Sequence, residues 1–214
     1  MVHSEHRLHY CYCCCLQYQK FSVGVRDSGL FSFFEVGGLE TGDHGTHPDD
    51  VIQALKGHIS ISYQFRPGCP INEDNPYYIS SQGLRDQIHC AVIVVSAEKL
   101  PYLTCGDKLK TIRTAASRLG IPQLVFMTNV DMVCGLTCKD LSKIYQSRRI
   151  KNRMKECSNL LGVPLNCIFP VKNYHQETCM DEKINCLMLD ALTQIVHSAN
   201  DYVEKCSRNQ THSE

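Results

Sequence analysis

The sequence lacks net charge, a membrane-length apolar run and a secretory signal. Its 22 lysines and arginines balance 22 aspartates and glutamates, so neither nucleic-acid phosphate nor an anionic membrane is an expected electrostatic partner. No apolar run approaches the ~20 residues that a membrane helix needs. The first nine residues do not show a basic segment followed by a continuous apolar one, which is the pattern of a secretory signal. We therefore predict a cytoplasmic protein with no nucleic-acid and no membrane partner.

The 14 cysteines lack the regular spacing of a disulfide framework. Most lie singly within apolar segments, as Cys90, Cys157, Cys167 and Cys186 do. Without a route to an oxidising compartment, we interpret them as free thiols that pack like small hydrophobic side chains.

The first 16 residues have an unusual composition. His3, His6 and His9 precede Cys11-Tyr-Cys-Cys-Cys15, and imidazole and thiolate are the ligands of zinc. However, C-x-C-C-C matches no spaced zinc pattern. A metal or thiol function and palmitoylation of the cysteines stay open as alternatives, but we interpret residues 1–16 as a disordered or incidental segment without a metal.

Hydrophobic periodicity predicts strands that alternate with helices. The predicted strands are 17–25 and 31–36, which form a hairpin, then 89–97, 123–128 and 165–171; the predicted helices are 48–57, 107–119, 140–161 and 181–205. The run at 89–97 is apolar without alternation, which predicts a strand buried on both faces. Residues 60–87 are a Pro- and Asn-rich connection longer than compact domains usually contain without a specific role.

This order predicts a single α/β domain over residues 17–205, with a mostly parallel sheet flanked by crossover helices. Residues 206–214 are predicted to be a disordered tail.

The strand at 123–128 ends in Thr128-x-x-Asp131. A carboxylate at the carboxyl edge of a parallel sheet points into the crevice where such folds bind ligands. One carboxylate can accept hydrogen bonds from both the ring N–H and the exocyclic amine of guanine, whereas adenine presents an acceptor in place of that N–H. The alternative is that Asp131 caps the helix that follows and has no ligand.

Four segments occur in the order used by GTP-binding domains. They are the acidic-x-x-Gly loop from Glu35 to Gly38, the strand at 89–97, Thr128-x-x-Asp131, and the end of a strand at Val171-Lys-Asn173. The combination is much rarer than any of its parts.

From about residue 17 to residue 205 the sequence closely resembles the interferon-induced protein 44 and 44-like family of guanine-nucleotide-binding-like proteins. The segments that carry the resemblance are Gly38-Leu-Glu40, Leu55-Lys-Gly-His58, Tyr63-Gln-Phe65, Asp86-Gln-Ile-His-Cys90, Lys108-Leu-Lys-Thr-Ile-Arg113, Thr128-x-Val-Asp131, Pro170-Val-Lys-Asn-Tyr174 and Asp190-Ala-Leu-x-Gln-Ile195. It implies a P-loop-NTPase-like fold of the G-domain type.

The resemblance also implies roles for individual residues. Asp131 would read guanine, Thr128 would brace its loop, and Val171, Lys172 and Asn173 would lie beside the base.

On the phosphate side, Gly38 would be the switch glycine, with its N–H facing a γ-phosphate. Glu35 stands where the family has an aspartate that serves magnesium through water, and its extra methylene displaces the carboxylate. Leu39 stands where many GTPases have a water-orienting glutamine, so hydrolysis by that route is not expected.

The phosphate-binding motif G-x-x-x-x-G-K-[ST] is absent from the sequence. Gly24 and Gly29 have the glycine spacing, but they fall in the predicted hairpin turn. The family's phosphate loop would precede residue 17, so the chain is either an N-terminally truncated product or a diverged member without the site.

We therefore predict an immune, antiviral response protein with a degenerate guanine-nucleotide-binding domain. It would have no catalytic residues and would act through unknown protein partners. No cofactor is expected unless a phosphate loop lies upstream, in which case GTP or GDP and magnesium would bind. The alternative is a GTP-binding switch with weak or no GTPase activity, and a metal or thiol protein is the third hypothesis.

Overall fold

A computed structural model describes residues 17–25, 28–39 and 45–211, without the side chains of 25, 28–30, 210 and 211. The strands are β1 (Gln19–Val25), β2 (Ser28–Glu35), β3 (Ala91–Ser96), β4 (Gln123–Thr128) and β5 (Ile168–Pro170). The helices are α1 (Pro48–Lys56), α2 (Gly106–Arg118), α3 (Val130–Val133), α4 (Gly135–Lys139), α5 (Arg148–Leu161) and α6 (Glu182–Thr211). The histidine and cysteine stretch of residues 3–15 lies outside the described residues.

A parallel sheet with the strand order β3-β4-β5 forms the centre of the fold. β3 and β4 pair from Ala91 opposite Gln123 to Ser96 opposite Thr128, and β4 pairs with β5 around Val125 and Ile168. Helix α2 connects the first two of these strands, and α3 to α5 connect the second pair. The predicted α/β fold with crossover helices is therefore confirmed.

The main hydrophobic core lies around β4, the central strand. Val125 and Met127 are fully buried and belong to a cluster that also includes Val95 of β3, Ile150 of α5 and Ile168 of β5. Full burial of such a side chain stabilises the fold by about 1.5–3 kcal/mol. Strand β4 and the carboxyl ends of its neighbours are thus held rigidly.

Strand β3 differs from the prediction of a strand buried on both faces. It covers only Ala91–Ser96, and Val94 is 66% exposed. The reason is its position, because β3 lies at the end of the strand order within the described chain. The apolar run indicated a strand but not how many neighbours would cover it.

The predicted hairpin is confirmed as a separate antiparallel sheet of β1 and β2. Phe21 pairs with Phe33 and Val23 with Phe31, so four apolar side chains share one face. Within the described residues no strand pairing joins this hairpin to the parallel sheet.

Residues 60–87 contain much of a second, smaller core. Tyr63, Phe65 and Ile71 are buried together with Tyr18. The Tyr18 N–H donates to the Tyr63 carbonyl over 2.8 Å, and the Ser62 N–H donates to the Tyr18 carbonyl over 2.9 Å. The long connection is therefore anchored by its own aromatic side chains.

The predicted helix over 140–161 is wrong in its first third. A 3-10 helix covers Leu141–Gln146, and α5 begins only after Ser147. Ser147 has an extended backbone, and its Oγ accepts a hydrogen bond from the Ile150 N–H over 3.3 Å. This is an N-cap, which starts a new helix at that point.

Two other element ends differ from the predictions. The strand predicted at 165–171 is a 3-10 helix over Leu165–Cys167 followed by the short strand β5. Helix α6 continues to Thr211, so residues 206–211 are helical and not part of a disordered tail. Among the helices that the structure describes, none combines the length and the apolar character needed to cross a membrane.

Candidate functional site

The candidate site lies at the carboxyl edge of the parallel sheet. The Ala97 N–H donates to the Thr128 carbonyl over 2.8 Å, and the Val171 N–H donates to the Met127 carbonyl over 2.9 Å. These bonds continue the strand pairing by one residue on each side of β4. The three loops that leave β3, β4 and β5 therefore begin next to one another, as parallel strands require.

Thr128 braces the loop after β4. Its hydroxyl is buried, 3.3 Å from the Val95 carbonyl and 2.9 Å from Asn129 Oδ1. A hydroxyl has one proton and donates to one of these acceptors at a time. The bond to Val95 joins the ends of β4 and β3, and the bond to Asn129 ties the end of β4 to the first residue of the loop.

Asp131 lies in the first turn of the four-residue helix α3. Asn129 occupies the N-cap position in the left-handed conformation, with φ of 57°, so Asp131 is not the capping residue. Val130 beside it is fully buried and anchors the turn. Within the described residues the Asp131 carboxylate is partly exposed and has no hydrogen-bond or ion-pair partner, so its oxygens can accept bonds from a ligand.

The loop after β5 is organised by an ion pair that sequence reasoning missed. The Lys172 ammonium pairs with the Glu177 carboxylate and also donates to the Asn173 carbonyl over 3.2 Å. The His175 N–H, which donates to Glu177 over 2.7 Å, and then Lys172 lower the pKa of Glu177 to about 2. Lys172 is thus held within its own loop. The one indication of this pair in the sequence is that an acidic residue, Glu177, stands five positions after Lys172.

The other two residues of this loop have different environments. Val171 is fully buried, whereas Asn173 is exposed. Asn173 is therefore the residue of this segment whose side chain is accessible at the edge.

Glu35 and Gly38 lie on the other sheet and its trailing loop. Glu35 ends β2, and the Gly38 carbonyl accepts a hydrogen bond from the Thr46 N–H over 3.0 Å. Apart from its two chain neighbours, no atom of the described residues lies within 4 Å of the position that a Cβ at residue 38 would occupy. Leu39 packs against the main core cluster, which includes Val95 and Met127. The structure thus brings Thr128, Asp131, Val171, Lys172 and Asn173 to one edge. Glu35 ends β2 of the other sheet, and Gly38 lies in the segment that follows it.

Cys134 and Ser147 contact each other at the beginnings of α4 and α5, the helices that follow the Asp131 turn. Cys134 Sγ lies 3.2 Å from Ser147 Oγ and is buried. The Ser147 hydroxyl, followed by the Thr137 N–H, lowers the pKa of the Cys134 thiol to about 7. Because the sulfur is buried, this contact joins α4 to α5 and does not create an accessible nucleophile.

Two surface clefts lie far from this edge. One of about 380 Å³ and one of about 340 Å³ are lined by the C-terminal part of α6, the second also by residues 82–84 and 87. The Tyr202 hydroxyl donates to the Leu119 carbonyl over 3.3 Å and places that part of α6 beside the amino ends of the strands. Within the described residues no three histidine, cysteine or acidic side chains are grouped to hold a metal ion.

The known proteins to which the chain is similar include several named interferon-induced protein 44 or 44-like. No protein-family model matches the chain. Interferon-induced protein 44 of Mus musculus is 31% identical over 198 residues, which are 91% of this chain and 47% of that protein. The Homo sapiens protein of the same name is 31% identical over 169 residues, 78% of this chain and 38% of that protein. Interferon-induced protein 44-like of Homo sapiens is 27% identical over 165 residues. The chain spans less than half the length of these relatives.

Proposed function

The chain is a homologue of interferon-induced protein 44 and interferon-induced protein 44-like over most of its own length, and from this relationship we propose that it is an interferon-induced protein of the antiviral immune response. The proposal includes a cytoplasmic location and action through protein contacts. The names of the relatives support the interferon-induced part.

The proposed molecular basis is a guanine-nucleotide-binding fold that keeps its base edge and does not hold phosphate. The observation that carries it is the Asp131 carboxylate, which is free to accept bonds at the carboxyl edge of β4. The complementary fact is that G-x-x-x-x-G-K-[ST] occurs nowhere in the 214 residues. That loop supplies the backbone N–H groups and the lysine that bind phosphate.

The energetic consequence is weak or absent nucleotide binding. A base pocket alone offers a few hydrogen bonds, against a cost of about 4–15 kcal/mol for immobilising a ligand. The phosphate contacts normally offset that cost. Lys172 does not substitute for them, since it is paired with Glu177.

Hydrolysis is not part of the proposal either. Leu39 packs its side chain against the core and has no group to orient a water molecule. A nucleotide-independent role through protein contacts is therefore the function that the geometry supports best.

Thermal unfolding with and without GTP tests the nucleotide part. A ligand at 100 times its Kd stabilises a protein by about 2.7 kcal/mol, which for this size raises Tm by roughly 5–10 °C. We expect no such shift with about 1 mM GTP and magnesium, which would be 100 times a Kd of about 10 μM. A shift in the wild type that Asp131→Ala removes and the exposed control Asp107→Ala keeps would favour the guanine-nucleotide switch instead.

Measurement of the transcript after interferon treatment tests the immune part. We expect transcript abundance to rise in treated cells relative to untreated cells. An unchanged transcript in cells whose known interferon-induced genes respond would contradict the proposed induction.

A further inference from the structure

The basic residues are concentrated in one part of this electroneutral chain. Residues 139–155 contain seven lysines and arginines and one acidic residue, Asp140, so the net charge of this segment is +6. Asp140 is itself neutralised, because it accepts a hydrogen bond from Lys183 over 2.8 Å. The zero net charge of the whole chain hides this asymmetry.

Six of the seven basic side chains have no ion-pair partner within the described residues. The exception is Arg153, which pairs with Glu156 over 2.6 Å. We call the other six the basic surface: Lys139, Lys143, Arg148, Arg149, Lys151 and Lys155. All except the half-buried Lys143 are exposed, and their charges are available to an external anion.

Helix α5 aligns three of these charges. Its buried residues Ile150, Cys157 and Leu161 face the core. Arg148, Lys151 and Lys155 have the spacing i, i+3 and i+7, which places them in one stripe on the outward side of the helix. At 1.5 Å per residue the stripe is about 10 Å long.

The two short elements before α5 are fixed against its start. Val133, Ile144 and Ile150 belong to one core cluster, and the Cys134–Ser147 contact joins the beginnings of α4 and α5. Lys139 at the end of α4 and Lys143 in the 3-10 helix thus lie on elements that are anchored at the start of α5.

Exposed apolar side chains come from α4 and the 3-10 helix, which carry Lys139 and Lys143, and from α3 just before them. Met132 of α3 and Tyr145 of the 3-10 helix are each 63% exposed, and Leu136 of α4 is 50% exposed. Such apolar and aromatic side chains make no favourable contact with a phosphate backbone in water, whereas at a bilayer they can insert at the level of the headgroups.

We propose that the basic surface, with its exposed apolar side chains, binds the anionic lipid headgroups of a membrane surface. Clusters of four to eight lysines and arginines attract anionic lipid, each contributing about a fivefold gain in binding. The attraction acts within about 10 Å at 0.1 M salt, so acidic residues farther away do not cancel it. Asp190 of α6 does lie within range of Tyr145, but its single charge is outnumbered by the basic surface. The expectation of no membrane partner rested on net charge, which does not describe this local arrangement.

Vesicle co-sedimentation tests the proposal with phosphatidylcholine vesicles that contain or lack phosphatidylserine. The wild type is expected to bind only the vesicles with phosphatidylserine, and more weakly as salt is raised. The stripe variant Arg148→Glu/Lys151→Glu/Lys155→Glu is expected to lose at least about a hundredfold in binding. The matched control Arg85→Glu/Lys110→Glu/Arg118→Glu changes the net charge equally at exposed positions elsewhere and is expected to bind like the wild type.

Two further arms keep the test decisive. If the stripe variant unfolds, the neutral variant Arg148→Gln/Lys151→Gln/Lys155→Gln replaces it and is expected to show the same direction of loss. Leu136→Ser/Tyr145→Ala is expected to weaken vesicle binding with little effect on its salt dependence.

Several results would overturn the proposal. They are equal binding to both vesicle types, no binding of the wild type to phosphatidylserine, and equal losses in the stripe and control variants. Tighter binding to single-stranded RNA than to vesicles at the same salt, lost in the stripe variant, would assign the surface to nucleic acid.

Discussion

At the scale of single residues, Asp50 has a chemically unusual environment. It is fully buried in α1, and its Oδ1 accepts the Ile71 N–H over 2.7 Å, while Oδ2 has no hydrogen-bond partner within the described residues. Burial raises the pKa of Asp50. The Ile71 N–H, and less strongly His47 and the Tyr63 hydroxyl, oppose this only in part. The folded protein therefore retains the Asp50 proton to a higher pH than the unfolded chain does.

The sign of the pH effect follows from the raised pKa. The contribution of Asp50 to stability is fully present below its unfolded pKa of about 3.9 and is lost as pH rises through the folded value. Urea unfolding at several pH values from about 4 to 7 should show wild-type stability falling relative to Asp50→Asn, which keeps an acceptor for Ile71 and does not titrate. A difference that is independent of pH would contradict this account.

Removing the Asp50 carboxylate altogether should lower the free energy of unfolding more than Asp50→Asn does. Asp50→Ala leaves the buried Ile71 N–H unpaired, which costs about 1–3 kcal/mol in the free energy of unfolding. Asp49→Ala, an exposed neighbour in the same helical turn, is the control and should cost less. Equal losses in both variants would indicate that the Ile71 bond has little importance.

At the scale of elements, the end of α1 depends on a glycine. Gly57 is left-handed with φ of 86°, and a Cβ there would lie 2.5 Å from the Asp86 carbonyl oxygen. The left-handed conformation alone costs a non-glycine residue about 1–2 kcal/mol, and the clash adds to this. Gly57→Ala should therefore destabilise the protein by more than about 2 kcal/mol in urea unfolding.

Gly38→Ala is the matched control for Gly57→Ala. Gly38 has no left-handed φ, and among the described residues no atom beyond its chain neighbours lies near its Cβ position, so the change should be within about 0.5 kcal/mol of neutral. If both alanine variants had the same stability, the conformation at the end of α1 would not be limiting.

The elements also show which features periodicity can predict. The α/β order and β4 followed from apolar spacing, and the edge position of Thr128 and Asp131 followed from the parallel topology. The break at Ser147 did not, because Ile144 and Ile150 on either side of it continue to face the core. The Lys172–Glu177 pair depends on the path of a loop, which no periodic signal describes.

At the scale of the whole molecule, the hairpin is held by fewer buried contacts and strand pairings than the centre of the parallel sheet. A two-stranded hairpin is marginally stable by itself, and Phe21 and Phe33 on its outer face are 50% and 37% exposed. Its links to the rest of the protein include the packing of Val36 and Leu39 and the contact of Tyr18 with the second core. β4 is instead paired on both sides and buried.

Native-state hydrogen exchange measures this difference directly. We expect the amides of residues 31–36 to exchange faster than those of residues 124–127, because local openings of the hairpin disrupt fewer buried contacts. Amides of β2 whose N–H groups point away from β1 have no partner in the hairpin and would exchange fast whether or not it opens. The comparison therefore uses only the amides that form hydrogen bonds between β1 and β2. Equal protection would mean that the hairpin unfolds only with the core.

The central proposal is that the Asp131 edge is a guanine site without a phosphate-binding loop in this chain, and calorimetric titration with GTP tests it most directly. We predict no saturable binding with a Kd below about 10 μM, with the same heats for wild type and Asp131→Ala. Saturable binding tighter than that value, abolished by Asp131→Ala and retained by Asp107→Ala, would contradict the claim.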